Sequence, residues 1–164
     1  MEEYRIIKGY ENYSISNLGN VRNNTTNKII VYNKTHKYIR VGLSNDKKST
    51  KFYLHRLLAS AFIPNPDQKE CVDHRDNDVN NNTVSNLRWA TKQENAHNMS
   101  MMKTNTSGIK GVSWDKKTKK WRARIYIDGK EYGLGYYDNI DDAKIARQNK
   151  ATELFGCFKN ACEN

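Results

Sequence analysis

Apolar and polar residues alternate differently in three stretches of the chain. In residues 1–51, IRVGL at 39–43 places apolar side chains at every second position. YSIS at 13–16 has the same period, and the Asn- and Gly-containing turn 17–20 follows it. A period of two bounded by turn residues predicts short strands and hairpins.

The middle stretch, residues 52–102, changes to a helical period. LHRLLASAF at 54–62 places its leucines on one helical face, and the prolines of IPNPD end that helix. The pattern then predicts two short strands, ECVD at 70–73 and LRWA at 87–90, separated by a loop rich in Asn and Asp. TKQE at 91–94 matches a capping box, which predicts a helix that begins at Lys92.

The last stretch, residues 103–164, predicts three strands and a helix. GIKGVSW at 108–114, WRARIYI at 121–127 and KEYGLGYY at 130–137 are the strands, and Asp-Gly between the last two indicates a tight hairpin. A helix is predicted from Ile140 to Phe155, ended by Gly156. In WRARIYI, the arginines and Tyr126 lie on the face opposite the apolar residues.

These elements predict a small modular α+β protein. The predicted parts are a strand-rich segment at 1–51, a helix–strand–loop–strand–helix module at 52–102, and a three-stranded antiparallel sheet packed on one helix at 103–164. The first segment has few apolar residues, so little independent stability is expected of it.

Charge is distributed unevenly among these parts. The chain has 28 Lys and Arg against 18 Asp and Glu, a net charge of +10. The excess lies in residues 1–54 and 105–164, whereas the middle carries equal numbers of basic and acidic residues. Basic surfaces bind polyanions such as nucleic acids, although a solvated surface accounts equally well for charge alone. The absence of a long basic amphipathic helix argues against a membrane partner.

Composition restricts the class of protein further. The sequence has no apolar run long enough to span a membrane and no N-terminal secretion signal, so a soluble intracellular protein of the cytoplasm or nucleus is expected. Three cysteines without a C-x-x-C pair predict thiols rather than disulfides or a zinc site. Nothing in the sequence implies a protein partner, and both a monomer and a dimer are compatible with it.

The sequence CVDHRDND at 71–78 places an acid and a histidine at the end of a strand. A solvated turn is the simple interpretation. A chemical interpretation is that Asp73 and Asn95, brought together by the hairpin and the following helix, bind one hard divalent cation through oxygen. The neutral imidazole of His74 would then accept a proton from water.

The pattern of these residues resembles the ββα-metal motif of HNH homing endonucleases. VDHRDNDVNNNTVSNLRWATKQEN matches the D-H…N…N form of that motif, and HRLLASAFIPNP before it resembles a segment of the same family. The resemblance implies that Asp73 and Asn95 bind the metal, His74 is the general base and Asn86 braces the loop. It implies a divalent ion, Mg²⁺ first and Mn²⁺ as an alternative. Arg75 and Arg88 are expected to contact phosphate, with exposed arginines as the alternative.

The last stretch resembles the DNA-binding domain of plant APETALA/ethylene-response factors, in which a three-stranded sheet enters the major groove. GV, KW, the LG.YD step and the alanine-containing helix carry the similarity. The chemistry of the polar face indicates the same use, since Arg reads guanine edges and Lys contacts phosphate. An ordinary solvated sheet face is the alternative. The expected DNA-binding residues here are Lys110, Lys116, Lys117, Arg122, Arg124 and Tyr126.

The first stretch, YRIIKGYENYSISNLGNVRN, resembles a small motif found N-terminal to HNH modules, with Arg22 and Arg40 as expected DNA contacts. Together these features predict a site-specific DNA endonuclease that binds double-stranded DNA through its flanks and nicks one strand per active site. The alternatives are a non-catalytic DNA-binding transcriptional regulator and an RNA-binding protein.

Overall fold

The protein is described here by a computed structural model. It describes residues 1–32, 36–45, 48–99, 101 and 104–158. The chain divides into two compact units, Met1–Lys92 and Gln93–Asn164. Within the described residues, none of the helices combines the length and the apolar character that crossing a membrane requires.

The first unit consists of short antiparallel strands and one helix. Its elements in chain order are β1 (Tyr4–Ile7), β2 (Tyr10–Ser16), β3 (Val21–Asn23), β4 (Arg40–Asn45), β5 (Lys48–Tyr53), α1 (Leu54–Phe62), β6 (Cys71–His74) and β7 (Leu87–Ala90). They form a three-stranded sheet β1-β2-β3 and two hairpins, β4-β5 and β6-β7. The predicted helix at 54–62 and strand at 87–90 are confirmed.

One hydrophobic core serves the whole of this unit. Its buried residues come from β1 to β4, from the residue before β4, from α1 and from the start of β7: Ile7, Ile15, Val21, Ile39, Val41, Leu43, Leu54, Leu58 and Leu87. The strand predicted from the alternation at 39–43 is found at Arg40–Asn45, and Ile39, Val41 and Leu43 are all buried. Because the N-terminal strands and α1 share this core, burial of apolar surface stabilises them together.

Both serines of β2 are buried although they alternate with Tyr13 and Ile15 along the strand. Ser14 and Ser16 are buried at 4% and 0% exposure. The Oγ of Ser16 accepts the backbone N–H groups of Leu18 and Asn20 at 3.3 and 3.0 Å, and the Ser14 hydroxyl donates to Asn24 at 2.7 Å. Buried hydroxyls are tolerated when they are hydrogen-bonded, and the turn after β2 supplies the partners of Ser16.

The second unit has the predicted sheet packed on a helix. Its elements are β8 (Val112–Asp115), β9 (Lys120–Ile127), β10 (Lys130–Tyr137) and α3 (Ile140–Phe155), followed by a 3₁₀ turn (Gly156–Phe158). A short helix, α2 (Lys92–His97), spans the division between the units. The three strands are antiparallel with β9 in the centre. The α+β class and this sheet-plus-helix arrangement are confirmed.

The two faces of β9 differ as predicted. Ala123 and Ile125 are buried at 0% and 1% exposure, and they pack in clusters that include residues of α3. Arg122, Arg124 and Tyr126 occupy the alternate positions. Asn139 caps α3 by accepting the backbone N–H of Asp141 at 2.9 Å.

The first strand of this sheet begins later than predicted. GIKG at 108–111 precedes β8 as a turn, because Gly108 and Gly111 have φ of +75° and +74°. A Cβ at Gly111 would lie 2.5 Å from the carbonyl oxygen of Arg124. The close approach of β9 therefore requires glycine at 111, and the turn delays the strand to Val112.

Candidate active site

The β6-β7 hairpin places the predicted acid and base at the end of β6. Asp73 pairs with Arg88 and His74 with Leu87 in the antiparallel register, so the loop 75–86 leaves the hairpin directly after the histidine. Asp73 and His74 are buried, with 4% and 5% exposure. The simple interpretation of a solvated acid–histidine turn is therefore wrong.

Asp73 forms a buried ion pair with Arg88. Both Nε and Nη2 of Arg88 lie 2.7 Å from Oδ2 of Asp73, and the side chains of Arg88 and Asp73 are 8% and 5% exposed. Charge-assisted hydrogen bonds of this length fix the carboxylate in position. The alternative of an exposed arginine is wrong for Arg88, because the cross-strand register directs its side chain to Asp73. Arg75 is exposed.

Asn86 holds the two ends of the loop together. Its side chain donates to Oδ1 of Asp76 at 2.9 Å and to the carbonyl of Asn81 at 2.8 Å. It also accepts the backbone N–H of Asp76 at 3.2 Å. An asparagine with both amide donors and its oxygen engaged is well suited to bracing a loop, which is the predicted role of this residue.

Asp76 is a second bracing residue, and the turn-rich sequence around it gave no reason to single it out. Its carboxylate accepts from Asn81 at 2.6 Å, from Asn86, and from the backbone of Asp78 at 2.8 Å. Desolvation acts to raise the pKa of Asp76, but these hydrogen bonds outweigh it and hold the pKa below its usual value. The loop is thus ordered by an ionised carboxylate.

Asn82 contacts the predicted base directly. Its Oδ1 lies 3.2 Å from Nε2 of His74, and the residue is 6% exposed. Its amide nitrogen donates to the carbonyls of Val79 and Asn80, both at 3.2 Å. An amide oxygen can only accept, so this contact matches the imidazole tautomer that carries its hydrogen on Nε2. The contact holds the His74 ring in one orientation.

A second histidine packs on the first. The ring centroids of His55 and His74 are 5.3 Å apart, and Tyr38 and Tyr53 flank His55 at 5.2 and 5.6 Å. Burial lowers the pKa of His55 to about 4, with further contributions from the charges of His74 and Arg56. His55 is therefore neutral near pH 7, and it supports the His74 ring without adding a charge beside it.

The N-terminal segment also contacts the loop. The backbone N–H of Val84 donates to the carbonyl of Asn17 at 3.2 Å. Gly19 lies so close to Asn82 that a Cβ on Gly19 would be 2.7 Å from the Asn82 carbonyl oxygen. The turn after β2 thus packs against the residue that orients His74, which gives this segment a structural role in the site.

We expect Gly19→Ala to impair catalysis more than stability. Gly19 and Gly9 have similar φ values of +85° and +79°, but a Cβ on Gly9 has no atom within 4 Å. Either alanine costs about 1–2 kcal/mol of backbone strain, whereas only Gly19→Ala displaces Asn82. A shift of this kind can lower a rate about 10²-fold. Urea unfolding and DNA-nicking rates of both variants test this; equal nicking rates would contradict it.

The predicted metal ligands are one carboxylate and one amide. Asn95 lies in α2 and is described with the second unit, so its partnership with Asp73 stays a prediction. Among the described residues, no three His, Cys, Asp or Glu side chains are grouped as a metal cluster. Two protein oxygens nevertheless suit a hard cation, which keeps several waters or substrate phosphates as ligands. A carboxylate has about four lone-pair sites, so the Arg88 ion pair at Oδ2 and metal binding are compatible.

The predicted DNA contacts are held in different ways. Arg22 lies over the Tyr4 ring at 4.3 Å, and Arg40 donates to the Tyr53 hydroxyl at 3.2 Å. In the second unit, the Lys110 ammonium donates to the carbonyls of His97 and Met99 at 2.9 and 2.8 Å. Lys116 and Lys117 are exposed in the turn after β8. The DNA-binding role of these residues stays a prediction.

Comparisons with known proteins agree with this geometry. Residues 52–97 match the HNH endonuclease family, and residues 2–44 match the NUMOD4 motif. The DNA endonuclease I-HmuI of Bacillus phage SP01 is 35% identical over 136 residues, which cover 79% of this chain and 77% of the phage protein. Protein 3.8 of Escherichia phage T7 is 39% identical over 88 residues, 53% of this chain and 71% of that protein.

Two further similarities concern a longer relative and a solved structure. An uncharacterized HNH endonuclease of Acanthamoeba polyphaga mimivirus, L245, is 32% identical over 140 residues, and the match spans 41% of its length. The solved structure described as DNA binding and cleavage by the HNH homing endonuclease I-HmuI superimposes with a TM-score of 0.56 at 29% identity. That match covers 94% of this chain and 83% of the other. From the buried Asp-His pair, the ordered loop and these similarities, we conclude that the chain belongs to the HNH endonuclease family.

Proposed function

We propose that this HNH endonuclease cleaves double-stranded DNA at a specific site and nicks one strand per active site. The observation that carries the proposal is the His74–Asn82 contact at the end of β6, which positions a buried histidine beside a buried carboxylate. Such an arrangement suits a general base better than a residue that only packs. A phage relative named as a DNA endonuclease supports the same activity.

In this proposal His74 accepts the proton from the attacking water. Asn82 holds the imidazole through Nε2, and Asn86 with Asp76 holds the loop that carries Asn82. Because these contacts exist before DNA binds, the base needs little reorganisation during the reaction. General-base catalysis of this kind contributes about 10²- to 10⁴-fold.

Asp73 and Asn95 are the residues that would hold the divalent ion. When bound, the ion polarises a phosphate oxygen and offsets the charge that develops on the leaving oxygen. Oxygen ligands favour Mg²⁺, and Mn²⁺ accepts the same ligands. Arg88 keeps the Asp73 carboxylate in one orientation for this purpose.

DNA binding is assigned to the flanks of the nuclease centre. In the second unit, the sheet resembles the APETALA/ethylene-response-factor domain, and its open face carries Arg122, Arg124 and Tyr126. Arg22 and Arg40 in the N-terminal segment, with Arg75 beside the loop, would contact phosphate. We also propose that the chain consists of three modules, which are residues 1–51, 52–102 and 103–164. The part of the chain that the structure describes has one such centre, so double-strand cleavage would need two chains or a second binding event.

Sequencing the DNA ends produced from a random library tests this function. With Mg²⁺ or Mn²⁺ we expect DNA ends that are flanked by one common sequence. Each break should lie in one strand only. With a chelator we expect none. A non-catalytic regulator would enrich bound sequences without producing ends, and that result would contradict the endonuclease assignment. Competition between duplex DNA and RNA separates the RNA-binding alternative.

A further inference from the structure

A single carboxylate holds the three polar side chains on the open face of the second unit. Arg122 donates to Oε1 of Glu131 at 2.5 Å, Arg124 donates to Oε2 at 3.1 Å, and the Tyr126 hydroxyl donates to Oε2 at 2.5 Å. Glu131 lies opposite Tyr126 in the β9-β10 register, which directs its side chain to the same face. These three partners are the residues proposed to contact DNA from β9.

We propose that Glu131 is a specificity-determining residue, which directs Arg122 and Arg124 toward base edges by weakening their attraction for phosphate. The inference rests on the proposed function of this sheet in DNA binding. It assigns to the acidic residue of the face a role in recognition rather than in stability.

The cluster is neither buried nor strongly stabilising. The side chains of Arg122, Arg124 and Glu131 are 35%, 36% and 26% exposed. Exposed ion pairs of this kind contribute little to folding. The hydrogen bond from Tyr126 is the largest cause that lowers the pKa of Glu131. Desolvation, the second cause, acts to raise it, and the charges of Arg122 and Arg124 add to the lowering, so the pKa lies below its usual value. Glu131 therefore carries its charge at neutral pH, where DNA binds.

The charge of Glu131 discriminates between the two kinds of DNA contact. A phosphate that approaches either arginine is an anion, and it meets the repulsion of a carboxylate already bound to that arginine. A guanine edge is neutral and presents two acceptors to the arginine. Each guanidinium has five N–H donors, so an arginine can keep its bond to Glu131 and still bind guanine. Phosphate binding is thus penalised, whereas base binding is not.

Glycine at position 133 adds space for this mode of binding. Gly133 lies opposite Arg124 on the neighbouring strand, and a Cβ there would meet no atom within 4 Å. The strand register is irregular between Gly133 and Gly135. The surface beside Arg124 is therefore open to a base edge, while the side chains around it are fixed by Glu131.

Glu131→Gln tests the proposal in the full chain, with chelator present so that no cleavage occurs. We expect a random-sequence DNA duplex to bind at least threefold more tightly at low salt, since one repulsive charge about 6 Å from phosphate has that effect in water. The logarithm of the binding constant should also fall more steeply with the logarithm of the salt concentration, by an amount that corresponds to about one to two additional phosphate contacts. Glu153→Gln makes the same charge change at an exposed ion pair with Lys150 in α3, and it should alter both quantities less.

Sequence selection from a random duplex library completes the test. The parent chain should enrich a defined sequence, and Glu131→Gln should enrich it less strongly. Equal affinity, slope and enrichment for Glu131→Gln and Glu153→Gln would overturn the proposal. The Arg122→Ala, Arg124→Ala double variant distinguishes a failure of the Glu131 proposal from a failure of the proposed DNA-binding role of the sheet. If the double variant binds DNA as the parent does, the sheet itself is not the DNA-binding surface.

Discussion

Replacing His74 with alanine is expected to slow strand cleavage by about 10²- to 10⁴-fold, the contribution of a positioned general base. His74 is 5% exposed and has Asn82 as a hydrogen-bond partner, so its imidazole is held in one orientation. Alanine removes the proton acceptor and leaves Asp73, Arg88 and the loop contacts of Asn86 in place. The measurement is the initial rate of plasmid nicking at saturating Mg²⁺.

His36→Ala is the matched control for this prediction. His36 is an exposed histidine of the same unit, so its replacement should leave the nicking rate unchanged. DNA binding by His74→Ala, measured in chelator, should equal that of the parent. A nicking rate for His74→Ala within a few-fold of the parent rate would show that His74 is not the general base. The loop would then not act by positioning that base.

Arg88→Leu is expected to destabilise the first unit by about 3–5 kcal/mol, because it leaves the Asp73 carboxylate buried without its counter-ion. Arg88 and Asp73 are both more than nine-tenths buried, and two nitrogens of Arg88 lie 2.7 Å from one oxygen. Combining Arg88→Leu with Asp73→Asn removes the uncompensated charge, so the double variant should regain much of the lost stability. Urea unfolding of the single and double variants measures both effects.

Lys92→Ala gives the contrasting case. Lys92 pairs with Glu70 at 3.4 Å, but these side chains are 81% and 56% exposed. Such a surface pair contributes at most about 1 kcal/mol. If Arg88→Leu cost no more than Lys92→Ala, the Asp73–Arg88 pair would not be a buried ion pair in solution. The orientation proposed for the Asp73 carboxylate would then have no support.

The elements with strong local signals were predicted accurately from sequence. α3 begins and ends at the predicted residues, with Gly156 as the sequence signal for its end; the structure adds that Asn139 caps its start. The strand β10 matches its predicted range for a similar reason, since Asp-Gly fixes the hairpin before it. Errors arose where distant contacts decide the conformation. The late start of β8 depends on the approach of Arg124 to Gly111, which no local pattern records.

The candidate site could be predicted only in part. The spacing of Asp73, His74, Asn86 and Asn95 identified the family motif, and the structure places Asp73 and His74 together in a buried hairpin end. The spacing did not reveal that Arg88 pairs with Asp73 or that Asn82 faces His74. Both contacts depend on strand register and on how the loop folds back. Asn82 lies in a run of asparagines, where the sequence alone gives no reason to choose one of them.

The most direct test of the central claim follows a supercoiled plasmid that carries a sequence recovered from the library. With Mg²⁺, relaxed circles should accumulate first and linear DNA should appear only later, because one centre cuts one strand per binding event. In chelator neither product should form. Linear DNA that forms from the start as fast as relaxed circles, or cleavage that persists in chelator, would contradict a metal-dependent nicking endonuclease with a single HNH centre.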